Sequence, residues 1–313
     1  MKRGEDKRGE RLEKPRWKTI VWTILAVLFV LFVLFPVIFS LVDGPQFGNV
    51  ARIPIQGLIT GDGQNYLSQE TTSSQTIVQF IQDAERNPQI KGILIEINSP
   101  GGSAVASDEI ATAIKRAEKP VIALIREVGA SGGYWVASAA DYIIANRMSI
   151  TGSIGVLSSY LEFSGLMDKY GVNYERLVAG RYKDIGSPFT PLTDEKREIL
   201  QGKLDQIHAF FIEEIAANRK LNQSRVRELA TGEFFLGVEA RELDLVDELG
   251  DLSTAEEYLK QTYGLMTVDY VVYEKKAGLL DLLSSVATDF SFSLGQGIGA
   301  TFTKRNDRIM VGP

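Results

Sequence analysis

The sequence predicts an α/β fold centred on a parallel sheet built from βαβ units, and three observations predict it. Two short continuous apolar runs, GILIEIN (92–98) and VIALI (121–125), have the length and composition of strands covered on both faces. Between them Ile110, Ala113, Ile114 and Ala117 recur at helical spacing. A third run, YIIAN (142–146), follows a segment of small residues that reads as a short helix. Such alternation implies parallel strands with right-handed crossovers, so the loops leaving successive strands emerge at one edge of the sheet, where ligands bind.

Taken in order, the chain opens with a basic head, residues 1–19, carrying Lys2, Arg3, Lys7, Arg8, Arg11, Lys14, Arg16 and Lys18 against Glu5, Asp6, Glu10 and Glu13. Ile20–Val42 follows, 23 residues interrupted only by Thr23, Pro36 and Ser40. As a helix this run would be about 35 Å long, enough to cross a bilayer. It is too long for a signal-peptide core and precedes no small-x-small cleavage site, so it reads as an uncleaved single-pass anchor in the cell membrane. The excess of positive charge before it places the head in the cytoplasm and the rest of the chain outside.

A Gly/Pro stem, residues 43–49, leads to a globular region expected over 50–276. VARIPIQGLI reads as its first strand, and Ile77, Phe80, Ile81 and Ala84 mark the first helix. After YIIAN the pattern turns helical: Thr193 is the expected N-cap of a long amphipathic segment, with Glu195 and Lys196 in its first turn. MTVDYVVYE reads as a late strand, and residues 277–313 as a tail with an amphipathic start and a Gly/Ser/Thr-rich end.

Composition removes several chemistries. With no cysteine among 313 residues there is no disulfide, thiol nucleophile or cysteine-ligated metal site. Beyond the head, 26 Lys+Arg face 36 Asp+Glu, a net charge of about −10 that argues against nucleic-acid binding.

Two glycine-bearing loops, NSPGGS (98–103) and GASGG (129–133), fall at the ends of neighbouring strands and should meet in space. Glycines in the first leave backbone N–H groups free to face an anion or a developing oxyanion; the plainer reading is a tight βα turn. The loop matches neither nucleotide-binding glycine pattern, and Ser99 and Ser103 read as turn and cap residues. Ser131 has two readings. A serine at a strand-to-helix turn is commonly an N-cap. Gly132 and Gly133 cap nothing, however, and would allow close approach by a substrate, as in acyl-transfer enzymes whose serine sits on a sharp turn beside the next residue's N–H.

A nucleophilic serine needs a base. The single histidine, His208, borders the apolar stripe of Leu200, Leu204, Ile207, Phe211 and Ile215 and reads as a packing residue, which weakens a Ser-His-Asp triad. A lysine can serve instead, provided it is neutral and therefore largely buried: lowering its pKa from ~10.4 to ~7–8 costs on the order of 4 kcal/mol. Lys183, in GRYKDIGSPFTPLT, is a candidate by its apolar and irregular surroundings, with an exposed loop lysine as the alternative and Asp184 beside it tending to favour its charged form.

The set SPGG, GASGGYWVAS, TGSIGV (151–156) and GRYKDIGSPF, in this order behind an N-terminal anchor, resembles the signal peptide peptidase A family. These are membrane-anchored Ser–Lys proteases with a ClpP/crotonase-like βαβ spiral fold. The resemblance runs from about Ile53 to Tyr263 and includes GVEARELDLVDELG; it omits the head and the last fifty residues. Position by position it implies Ser131 as nucleophile, Lys183 as general base, Gly102 and Gly132 as oxyanion donors and Ser153 as the hydroxyl that orients the lysine. It further implies residual signal peptides as substrates, a ring-like homo-oligomer that encloses the sites, and no cofactor or metal. Three rivals share the fold: a crotonase-type acyl-CoA enzyme, an inactive scaffold, and a related membrane protease that cleaves stomatin-like proteins.

Overall fold

The structure, a computed structural model, describes residues 17–35, 48–63 and 70–274. The chain divides into two compact units, one of residues 1–46 with 275–313 and one of Phe47–Glu274.

In the first unit helix α1 covers Trp17–Phe29 and continues as a π-helix over Val30–Leu34, with its large apolar side chains exposed. Among the described residues no helix is long and apolar enough to cross a membrane, and residues 36–42 of the expected span lie outside them.

The second unit is the predicted α/β architecture. Its strands are β1 Val50–Gln56, β2 Leu58–Thr60, β3 Thr71–Ser73, β4 Gly92–Ser99, β5 Val121–Ala130, β6 Tyr142–Ala145, β7 Ile150–Gly152, β8 Phe234–Leu236, β9 Glu248–Leu249 and β10 Tyr270–Val272. Its helices are α2 Ser74–Arg86, α3 Ala104–Lys115, α4 Gly132–Ser138, α5 Ser164–Lys169, α6 Asp194–Arg219, α7 Gln223–Leu229, α8 Gly237–Glu242 and α9 Leu252–Tyr263. The main sheet has the order β10-β1-β4-β5-β6-β9, parallel throughout; β7 adds to β5, and β8 pairs antiparallel with β7.

Strand periodicity sorts the core into two faces. Ile93, Ile95 and Ile97 of β4 join Ile77 and Ile81 of α2, Ile110 and Ile114 of α3, and Phe211 and Ile215 of α6. Leu94 points the other way, with Val50, Ile122 and Ile144, beneath Ala255 and Leu259 of α9. Local capping agrees with the fold: the hydroxyls of Ser73, Ser103 and Thr193 accept from the N–H groups of Thr76, Ala106 and Lys196.

One departure from expectation positions the site. No loop separates VIALI from Ser131; β5 runs on to Ala130 and changes partner on the way. Ile122–Ile125 pair with β6, whereas Val128–Ala130 pair with β7. A register shift between β4 and β5 accompanies the change: Ile97 pairs with Ile125 but Ser99 with Gly129, so β5 bulges between these pairs.

Candidate active site

Four backbone segments converge where β5 ends. Ser131 follows the strand directly, with φ 52° and ψ −123°, a left-handed conformation that costs a non-glycine residue on the order of 1–3 kcal/mol. Its N–H donates to the Gly152 carbonyl at 2.8 Å, and its carbonyl accepts from Trp135 at 2.9 Å to start α4. It occupies the N-cap position without making the cap hydrogen bond. A capping serine has extended backbone and a hydroxyl turned onto the helix; Ser131 has neither.

The SPGG loop lies against this turn, as the shared sheet edge requires. A Cβ on Gly101 would stand 2.6 Å from the Gly132 nitrogen, and one on Gly132 would stand 3.2 Å from the Gly102 nitrogen. Strand β2 pins the loop: Ile59 donates to the Gly101 carbonyl at 2.9 Å and accepts from Ser103 at 2.8 Å. Gly102, at φ 155°, has no room for a side chain, because a Cβ would lie 2.1 Å from the Ile59 carbonyl oxygen. Among the described residues neither Gly102 nor Gly132 donates its N–H within the chain, which leaves two adjacent backbone donors beside Ser131. Ser99 and Ser103 have the turn and cap roles expected of them: the Ser99 hydroxyl donates to the Gly57 carbonyl at 2.6 Å and accepts from the Gly101 N–H.

Ser131, Gly102 and Gly132 line one cleft of about 740 Å³, which also takes in Ser153, Trp135 and Phe211. Ser153 has φ 49°; its N–H donates to the Glu233 carbonyl at 2.8 Å, and its hydroxyl lies 3.3 Å from the Gly232 carbonyl. Trp135 stacks on Phe211 with ring centroids 4.6 Å apart, giving the cleft an apolar wall.

Two participants escape the sequence reading, and a third has a place beyond the packing role expected of it. Thr231 and Gly232, just before β8, line the cleft and are brought there by the antiparallel pairing of β8 with β7. His208 lines it too, its Nε2 lying 3.3 Å from the Ile154 carbonyl, a bond that ties α6 to the segment after Ser153. Placing α6 over that segment is a long-range event without a local signal.

Lys183 is in a different environment. It is exposed on the turn formed by residues 181–186 and is not among the residues lining the cleft of the single chain. No residue from 155 to 210 is buried, so this stretch, with Leu157, Leu161, Tyr170 and Leu177 all exposed, has no core of its own. Asp184 is gripped by the Arg176 guanidinium, with Nη2 at 2.8 Å, and stands 3.6 Å from the Lys196 ammonium. The hydrogen bonds from Arg176 hold its carboxyl well below the usual range, at about 2. Asp184 is thus committed to other cations rather than to Lys183.

Comparison with known proteins agrees with this architecture. Residues 113–266 match the family described as peptidase family S49, and residues 64–157 match that described as Clp protease. A protein of Methanocaldococcus jannaschii named as a protease is 34% identical over 241 residues, 76% of either chain. One of Enterococcus faecium, named signal peptide peptidase SppA, is 31% identical over 75% of this chain and 70% of its own. Protease 4 of Haemophilus influenzae is 31% identical over 77% of this chain and 40% of its own length.

Proposed function

From the premise that the chain belongs to peptidase family S49, we propose that it is a serine endopeptidase in which Ser131 is the nucleophile and Lys183 the general base. The observation that carries this is the backbone of Ser131: strained at φ 52°, free of a cap bond, and set beside the unspent N–H groups of Gly102 and Gly132.

The neutral Lys183 amine takes the Ser131 proton as Oγ attacks a peptide carbonyl, and the N–H groups of Gly102 and Gly132 hold the resulting oxyanion. The ammonium then protonates the departing amine. Water, deprotonated by the same lysine, releases the acid and restores the serine. Ser153 orients the amine. Since Lys183 is exposed on a stretch without a buried core, the base reaches Ser131 in a ring-like homo-oligomer, which also supplies the dry surroundings a neutral lysine requires. The chain is held in the cell membrane by Ile20–Val42 with the globular unit outside, where it meets residual signal peptides, the substrate class suggested by the name of the Enterococcus faecium relative.

The test is digestion of casein by the full chain in detergent. Ser131→Ala and Lys183→Ala are both expected to lose activity; full activity in either overturns the dyad. Because His208 shares the cleft, His208→Ala belongs in the set. An active Lys183→Ala with a dead His208→Ala would move the base to the histidine.

A further inference from the structure

The turn that carries Lys183 presents an electrostatic problem and its remedy. A carboxylate one residue away favours the ammonium form, the opposite of what a base needs. Yet the Asp184 side chain is only 11% exposed and is bound on two sides, by Nε and Nη2 of Arg176 from the irregular segment before the turn and by Nζ of Lys196 from the first turn of α6. The other charged and titratable residues of the turn are also committed. Arg181 pairs with Glu195 of α6 at 2.9 Å, and the Tyr182 hydroxyl donates to the same carboxylate. Among the described residues Lys183 is the cation of this turn that has no ion pair.

Resting on the reading of Lys183 as the base, we infer that Arg176 and Lys196 are positioning residues: they hold the Asp184 carboxylate away from the Lys183 amine and fix the turn in one shape for catalysis. The direction of the Asp184 titration agrees, since a carboxylate so held stays ionised and paired far into acid. Arg176 suits the task better than a lysine, because its planar fork takes both carboxylate oxygens at once.

The experiment is the pH dependence of kcat and KM for the full chain in detergent, read with an internally quenched leucine-rich peptide. In Arg176→Met the freed Asp184 is expected to turn to Lys183 and move the acid limb of kcat up by about one pH unit with KM unchanged. Adding Asp184→Asn in that background should return the limb to its wild-type position, and Arg176→Lys should lie between wild type and Arg176→Met. A merely structural clamp would lower kcat at every pH without moving the limb; that result, or a double variant that keeps the shift, overturns the inference. Should Arg176→Met fail to fold, Lys196→Met carries the same test with a smaller shift in the same direction, and an unmoved limb there is equally fatal. Failure of the dyad is told apart by Lys183→Ala, which would then be active whatever Arg176 does.

Discussion

The amide of Ser131, one residue beyond the last paired position of β5, donates a 2.8 Å hydrogen bond to the carbonyl of Gly152, the last paired residue of β7. The strand that delivers Ser153 therefore also fixes the backbone of the proposed nucleophile in its left-handed conformation. Ser131→Gly should relieve that strain while ending catalysis. Part of the gain is offset by the greater freedom of glycine in the unfolded chain, leaving about 1 kcal/mol, or a melting temperature raised by about 2–4 °C. Ser131→Ala keeps a Cβ and should leave it unchanged. Thermal unfolding of the three proteins checks the difference.

A methyl group at Gly132 would meet the Ser107 hydroxyl at 2.4 Å and crowd the Gly102 nitrogen at 3.2 Å. Gly132→Ala should thus displace an oxyanion donor and reduce kcat on the order of 100-fold. Ser107→Ala in the same chain removes the closer clash and should restore part of the rate, measured as initial rates on one quenched peptide. The converse holds for Gly102→Ala: its obstacle is the Ile59 carbonyl oxygen, a backbone atom that no side-chain change can clear.

Since Lys183 does not line the Ser131 cleft within one chain, neighbouring copies should complement one another. Co-expressed Ser131→Ala and Lys183→Ala chains are expected to assemble into mixed rings in which about a quarter of the sites have both groups. Activity near that fraction, from two inactive parents, is the expected outcome. Absence of activity in demonstrably mixed particles would require each chain to complete its own site.

The sign of the Asp184 linkage fixes an acid window. Its carboxyl titrates at about 2 in the fold against 3.8 ordinarily, so its contribution is complete above 3.8 and is lost as pH falls through about 2. Limited pepsin digestion from pH 4 to pH 2 should show the segment between Arg176 and Lys196 becoming cleavable across that range in the wild type. In Asp184→Asn it should already be cleavable at pH 4.

The central strands are legible in the sequence because each needs only a local pattern: GILIEIN and VIALI are continuous apolar runs and appear as β4 and β5, whereas the short β3, β7 and β9 carry no such run. The meeting of Gly102 with Gly132 followed from strand order alone. The extension of β5 through Arg126 and Glu127 to Ala130 was not legible, since charged residues break the apolar run; it depends on β7 arriving as a second partner. The spacing of His208 shows that it borders a packing face, but its place in the cleft depends on α6 crossing the segment after Ser153. Lys183 stood out through its motif, and the sequence supplied the worry about Asp184 without its resolution, because the partners, Arg176 and Lys196, lie on separate elements that only the fold brings together.

Activation of Ser131 by Lys183 can be followed at the serine itself by covalent labelling. The full chain is treated with a fluorophosphonate and peptide masses are followed in time for wild type, Ser131→Ala and Lys183→Ala. A single adduct on Ser131 is expected, rising in rate toward alkaline pH, absent from Ser131→Ala and nearly absent from Lys183→Ala. An adduct on Ser131 that forms equally fast without the Lys183 amine would contradict it.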